Sequence, residues 1–502
     1  MAIIADLQQL ILDNLGLTPT LEQRNAAEAM SRFMLGTNAD SIYVLRGYAG
    51  TGKTSLIGAL VRTLHQLGRR VALMAPTGRA AQVFAAHAGY PAYTIHKRIY
   101  RQKAFNGEMI DFMQGVNLLK NVLFIVDEAS MISNLGGGGQ AVFGTGRLLD
   151  DLIQYVYSSE GCRLMLVGDD AQLPPVGEAF SPALSASKLG SYGFDVTESR
   201  LTQVVRQLDS SGILYNATML RRMLTEDLLG SFPQFHLHGF ADIRTVSGEE
   251  LIEALERSYS NAGVEQTIVI SRSNKRATAF NQGIRSRILG MEGELEGGER
   301  LMVVKNNYHW LAEMNDPAGD DSAATGSQAA NDNQDDFIAN GDMLTLQRFR
   351  NERTVHGFRF ADVTLRMSDD EHTVIQATML MDALHTDAPA LTAAQQQQLF
   401  QAVWDDYPEI RNKRDRMKAV QKDQFYNALQ VKYAYAVTCH KAQGGQWEDV
   451  YIDLGYVTED MLDADYLRWI YTALTRSTQN VYLVNWPKQM LDSESLAETG
   501  NW

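Results

Sequence analysis

The chain has 502 residues, of which 45% are hydrophobic and 21% charged. That is enough for more than one core, since single cores stop growing at about 250–300 residues. The formal net charge of −15 argues against broad duplex binding but leaves room for a basic groove that holds one strand. No apolar run reaches the roughly 18 residues of a membrane span, and the acidic N-terminus reads as an amphipathic helix, so a cytoplasmic protein is expected. Two cysteines, Cys162 and Cys439, are too few for a cysteine metal cluster and make no disulfide framework.

From Ser41 onward, short apolar runs alternate with helical stretches. Ser41–Leu45, Val71–Ala75, Val122–Val126 and Arg163–Val167 have the pattern of buried parallel strands with functional loops at their carboxyl ends. The first leads into Gly47-Tyr-Ala-Gly-Thr-Gly-Lys-Thr54, which fits G-x-x-x-x-G-K-[ST]. Glycines there let backbone N–H groups face a phosphate, Lys53 reaches the β- and γ-phosphates, and Thr54 can hold Mg²⁺. The helix that begins at this loop adds its positive dipole end. Gly47, Gly50, Thr51, Gly52, Lys53, Thr54 and Ser55 are therefore the expected nucleotide-phosphate-binding residues.

The segment Lys97–Asn121 is long for a simple connection and contains Phe105-Asn106-Gly107. Asn-Gly is a hairpin signal, so a β-hairpin with Phe105 near its tip is expected, either a plain surface hairpin or a wedge that opens base pairs. The third strand ends in Asp127-Glu128. Asp127 is placed to share Mg²⁺ with Thr54 through water, and Glu128 to orient or deprotonate the attacking water. The fourth runs into Gly168-Asp-Asp-Ala-Gln-Leu-Pro-Pro175, where Gln172 is the candidate γ-phosphate sensor.

A second group of runs, Thr267–Ser271, Leu301–Val304, Gln430–Val437, Asp449–Leu454 and Asn480–Val484, suggests a second α/β sheet with helices Lys275–Leu289 and Tyr466–Arg476 among its strands. It is interrupted by an insertion. Residues 312–339 are polar, acidic and poor in large apolar side chains, as in a solvated loop. Asp342–Phe349, Gly357–Met367 and His372–Met379 are strand-like and suit a small β-barrel, and Ala393–Tyr426 is helical.

Asp127-Glu-Ala-Ser-Met131 together with Gly168–Pro175 resembles superfamily 1 helicases, in particular their 5′→3′ branch of RecD-like and phage Dda-like enzymes. Further segments match that family's motifs in order. Gln23 resembles the adenine-reading glutamine, and Ala75-Pro-Thr-Gly-Arg-Ala-Ala81 and Thr94-Ile-His96 resemble its single-strand-gripping motifs. Leu201–Gln207 supplies Arg206, Val437–Gly444 resembles the motif that couples DNA to nucleotide, and Tyr471-Thr-Ala-Leu-Thr-Arg476 ends in a second arginine finger.

The resemblance implies Lys53, Asp127, Glu128, Gln172, Arg206 and Arg476 as catalytic residues, and adds Gln23 and Gly444 to the nucleotide set. It implies DNA contacts at Pro76, Thr77, Arg79, His96, Phe105, Pro174, Thr438, His440 and Lys441. The implied fold is α/β: two RecA-like parallel-sheet P-loop domains with an inserted SH3-like β-barrel and helical arm. Expected boundaries are 1–195 for the first domain, with its hairpin at about 97–121, 196–305 and 430–502 for the second, and 306–429 for the insertion with its arm at 393–426. The implied activity is ATP-dependent, Mg²⁺-requiring 5′→3′ unwinding of forked duplex from single-stranded DNA, by a monomer working with replication, repair or recombination proteins. The alternative is a DNA-stimulated translocase that displaces proteins without efficient unwinding.

Overall fold

The computed structural model describes residues 2–102, 112–136, 144–204, 210–311, 337–368, 373–386, 388 and 390–499. In the first part of the chain the strands are β1 (Ser41–Gly47), β2 (Arg70–Ala75), β3 (Ala92–Thr94), β4 (Tyr100–Gln102), β5 (Phe112–Gln114), β6 (Val122–Val126), β7 (Arg163–Gly168) and β8 (Asp195–Leu201). Among the described residues, β3-β2-β6-β7-β1-β8 form one parallel sheet. Strand alternation sends Ile42 and Val44 to one face and Tyr43 and Leu45 to the other. Helices Ala2–Leu15, Leu21–Leu35 and Lys53–Gln66 cover the second face, and Leu148–Tyr157 covers the first. With both faces covered, the strands read as continuous apolar runs, which made them visible in the sequence.

The second part contributes β9 (Ile243–Val246), β10 (Thr267–Ser271), β11 (Arg300–Val303), β12 (Met343–Val355), β13 (Phe358–Met367), β14 (Val374–Leu380), β15 (Val431–Tyr433), β16 (Ala436–Thr438), β17 (Trp447–Asp453) and β18 (Ser477–Val484). A second parallel sheet has the order β16-β10-β17-β18-β9. A third sheet is antiparallel, in the order β14-β13-β12-β11-β15. Its outer strands approach through a bridge between Met379 and Leu429. Helices Ala393–Asp405 and Lys413–Lys422 pack their apolar side chains with Phe358, Phe360 and Leu380 of this sheet.

Three expectations change. Leu301–Val304 is not a strand of the second parallel sheet: β11 pairs antiparallel with β12 and β15. Gln430–Val437 is not one strand but two, β15 in the antiparallel sheet and β16 in the parallel one. The chain turns between them at Ala434-Tyr435, where Asn281 Oδ1 accepts the backbone N–H of Tyr435 and Ala436. The insertion therefore begins before 306 and ends after 429. Likewise β8 pairs with β1 over Ser41–Gly47, so the first lobe runs past 195 to Leu201. In the segment expected to form a hairpin, β4 pairs antiparallel with β5. Phe105 lies outside the described residues, as does 312–336 of the acidic segment.

Candidate nucleotide and DNA site

The loop after β1 turns on glycines. Gly50 and Gly52 have φ of +76° and +79°, in the left-handed region that costs other residues strain. A Cβ on Gly47 would come within 2.8 Å of Lys53 Cγ, so glycine there makes the space in which the lysine stem lies. Lys53 Nζ donates to the Tyr48 carbonyl at 2.9 Å and lies 4.0 Å from Asp169 Oδ2. Thr51 is buried, Thr54 half-buried and Ser55 exposed at the start of helix Lys53–Gln66.

Gln23 supports this loop from below. Its Oε1 accepts the Thr20 N–H and its Nε2 donates to the Thr51 carbonyl at 3.1 Å. Both amide functions expected to read adenine are thus engaged by the protein, and pairing with a base requires their exchange.

β6 delivers the two acids. Glu128 has φ of +51°, a left-handed conformation that holds strain at a functional position. The Glu128 N–H donates to Asp127 Oδ1 at 2.9 Å. Burial, and then the neighbouring Glu128, push the Asp127 carboxyl up to about 6. A buried acid beside a second acid is relieved by a cation, so the chemistry of Asp127 suits a divalent ion, and the glycine loop with Lys53 fits the phosphates.

The second lobe reaches this site directly. Arg476 is buried and its Nη1 lies 3.7 Å from Glu128 Oε1. Its guanidinium also donates to the carbonyls of Thr472 and Gly445. Arg206 lies outside the described residues. Leu173 N–H donates to Thr472 Oγ1 at 2.9 Å, and Gln443 Nε2 donates to the Leu173 carbonyl at 2.9 Å. Tyr48, Ala171 and Leu173 share an apolar cluster with Leu467, Ile470 and Tyr471. Gln172 is buried and its Oε1 has no hydrogen-bond partner; it lines a cavity of about 440 Å³ with Arg46, Ser130 and Arg468.

Several expected DNA contacts lie together. A cavity of about 230 Å³ is lined by Thr77, Arg79, Asn340, His440 and Lys441. Thr77 caps helix Gly78–Ala88, and Thr438 precedes the turn that carries the exposed His440. Burial lowers Lys441 to about 8. Pro76 is half-buried beside Thr77. His96 is half-buried against Tyr100, at 5.6 Å between rings, and burial pushes it down to about 4.

Arg79, on that cavity, also lies 4.3 Å over the Trp447 ring and donates to the Gln446 carbonyl at 2.8 Å, so it joins the lobes. Two assignments are corrected. Pro174 is buried and lines the Gln172 cavity rather than an exposed groove. Gly444 is not at the phosphate loop: a Cβ there would meet Ala80 Cβ at 2.7 Å and Thr77 Oγ1 at 3.1 Å. Its role is close docking of the lobes.

The sequence did not single out Asp169 or Tyr471. Asp169 is buried, which raises its carboxyl, while Lys53 and the Tyr471 hydroxyl lower it. Arg221, on helix Gly212–Thr225, stacks 4.1 Å over Tyr48 of the P-loop and was equally unmarked. The signals available were position alone: Asp169 opens the Asp-Asp pair after β7, and Tyr471 opens the segment ending in Arg476.

A family model described as an AAA domain matches residues 20–226, and one described as the UvrD-like helicase C-terminal domain matches residues 433–484. The ATP-dependent RecD2 DNA helicase of Deinococcus radiodurans is 27% identical over 280 residues, covering 53% of this chain and 34% of that protein. The multifunctional conjugation protein TraI of Escherichia coli is 25% identical over 315 residues, covering 56% of this chain and 17% of that one. The chain thus spans about a third or less of each of these curated relatives. A solved Pif1 helicase from Bacteroides, in complex with ADP-AlF3 and ssDNA, aligns over 96% of this chain and 97% of its own at 15% identity, with a TM-score of 0.45. Among the described residues, no helix is long and apolar enough to cross a membrane.

Proposed function

Because this chain belongs to the RecD-like branch of the superfamily 1 helicases, we propose that it is an ATP-driven motor that moves 5′→3′ along single-stranded DNA and unwinds forked duplex. The observation that carries the reading is Arg476 of the second lobe standing 3.7 Å from Glu128 of the first. A site completed by both lobes acts only when they meet, so turnover reports closure, and arginines in such positions contribute about 10³–10⁵ in rate.

ATP with Mg²⁺ would supply the scissile phosphoanhydride and the charge that Asp127 and Thr54 hold. Lys53 and the amides of the glycine loop bind phosphate oxygens. Glu128 orients the attacking water and takes its proton, Gln172 senses the γ-phosphate end, and Arg476, with Arg206, steadies the charge that develops. Thr77 and Pro76 on one lobe, and Thr438, His440 and Lys441 on the other, hold the strand. Closing and reopening moves one grip relative to the other. The antiparallel sheet and its two helices are the SH3-like barrel and arm, and the strands β4 and β5 carry the wedge. The motor acts as a monomer in DNA replication or repair, in the cytoplasm.

The test is unwinding of duplexes that carry only a 5′ tail or only a 3′ tail, with Lys53→Ala as control. Activity confined to the 5′-tailed duplex and lost in the variant is the expected result. Equal unwinding of both substrates overturns the polarity, and undiminished ATP hydrolysis by Lys53→Ala overturns the motor.

A further inference from the structure

Helix Ala464–Leu474 carries Tyr471 from the second lobe to the base of the P-loop. The side chain is 1% exposed. Its hydroxyl donates to Asp169 Oδ2 at 2.7 Å and accepts the Ala49 N–H at 3.0 Å. Asp169 Oδ1 is taken by the Ala171 N–H at 3.0 Å. The oxygen that accepts from Tyr471 is also the one that faces Lys53 Nζ, at 4.0 Å. One carboxylate oxygen therefore stands between a neutral donor and a cationic one.

That geometry sets up a competition. A buried carboxylate oxygen without its donor draws in the nearest cation, because charge-assisted hydrogen bonds are about twice as strong as neutral ones. With the hydroxyl in place, Oδ2 is satisfied and the ammonium stays beyond bonding distance, resting on the Tyr48 carbonyl. Without it, Asp169 pulls Lys53 away from the space a phosphate would take. We propose that Tyr471 is a positioning residue that keeps Lys53 available to phosphate, by occupying Asp169 Oδ2 and tying the Ala49 amide to the second lobe. The inference rests on the reading of the chain as an ATP-hydrolysing motor. Since Ala49, Lys53 and Asp169 lie on the first lobe and Tyr471 on the second, the hydroxyl serves only while the lobes are docked, so separation of the lobes would itself weaken the grip on nucleotide.

The experiment is steady-state ATP hydrolysis by the full chain at saturating single-stranded DNA, for the wild type, Tyr471→Phe and Tyr471→Phe with Asp169→Asn. Lys53 meets phosphate in both ground and transition states, so its diversion raises KM and spares kcat. Tyr471→Phe is expected to raise the KM for ATP at least fivefold with kcat within twofold. Adding Asp169→Asn, which removes the competing charge, is expected to lower that KM at least threefold. A KM within twofold of wild type overturns the proposal, as does a rise that the second substitution does not reverse, which would make the hydroxyl a packing contact. Should Tyr471→Phe melt below the assay temperature, Asp169→Asn alone decides: with Tyr471 already holding the ammonium off in the wild type, a KM no more than twofold above wild type is the result the competition requires, and a larger rise ends it. A wild type that hydrolyses no ATP would instead defeat the motor reading itself.

Discussion

Substituting Gly444 by Ala measures how closely the two lobes must approach. Gly444 has φ of +76°, and a side chain in the left-handed region costs about 1–2 kcal/mol. That cost is internal to the second lobe and shows as a fall of a few degrees in melting temperature. The added Cβ also meets the first lobe, at 2.7 Å from Ala80 Cβ and 3.1 Å from Thr77 Oγ1. Ala80 is buried in helix Gly78–Ala88 and Thr77 is its cap, so neither can swing away. Overpacking of this kind costs about 1–3 kcal/mol. Parting the lobes relieves it, which lowers the closed-to-open ratio by about 5–150-fold. DNA-stimulated ATP turnover should fall at least fivefold, while nucleotide-independent folding persists by circular dichroism. Full turnover with an unchanged melting curve would refute the close approach as a requirement of the working state.

Glu128→Gln should cut ATP turnover by about 10²–10⁴ while a fluorescent ADP analogue still binds, because only the base is removed; retained turnover would exclude Glu128 as base. For Asp127, burial with Glu128 alongside holds the carboxyl at about 6, above its unfolded value of about 3.9. The folded state then binds the proton more tightly, so stability declines as pH rises from about 4 to about 6. Asp127→Asn should therefore melt higher than wild type at pH 7.5 without nucleotide, with the gain shrinking towards pH 4; a gain independent of pH would contradict the assignment. Arg285 bonds Glu299 at 2.8 and 2.9 Å, and Glu299 is fully buried. Arg285→Ala should cost about 3–5 kcal/mol in urea unfolding, since it strands a buried charge, and a loss below about 1 kcal/mol would show that Glu299 finds another partner.

The parts of the site legible in the sequence are those made by one stretch of chain. Gly47–Thr54 and Asp127-Glu128 each combine an apolar strand with the residues that follow it, so local pattern was sufficient. Leu301–Val304 suits either sheet by sequence, because four apolar residues look alike in a parallel and an antiparallel strand. β9 carries no such signal, because Arg244 and Thr245 break its apolar pattern. Tyr471 and Asp169 stand 302 residues apart in the chain, and no periodicity records their meeting. Gly444 illustrates a different limit: its motif marks it as functional, but only docking against Thr77 and Ala80 reveals that its job is spatial.

The interrupted second sheet also fixes an order of events during synthesis. The first sheet has all its described strands once the chain reaches Leu201. β10, by contrast, sits between β16 and β17, and β18 is not made until Val484. At about 5–20 residues per second, β10 waits about 10–40 s for the neighbours that cover its two edges. During that interval Thr267–Ser271, buried along its whole length in the finished protein, is an open apolar edge on the nascent chain. The antiparallel sheet, made in between, lacks only β15 to be complete. A ribosome-bound chain stalled near residue 430 should thus carry a finished first lobe and an unfinished second one, and it is there that a chaperone would have most to hold.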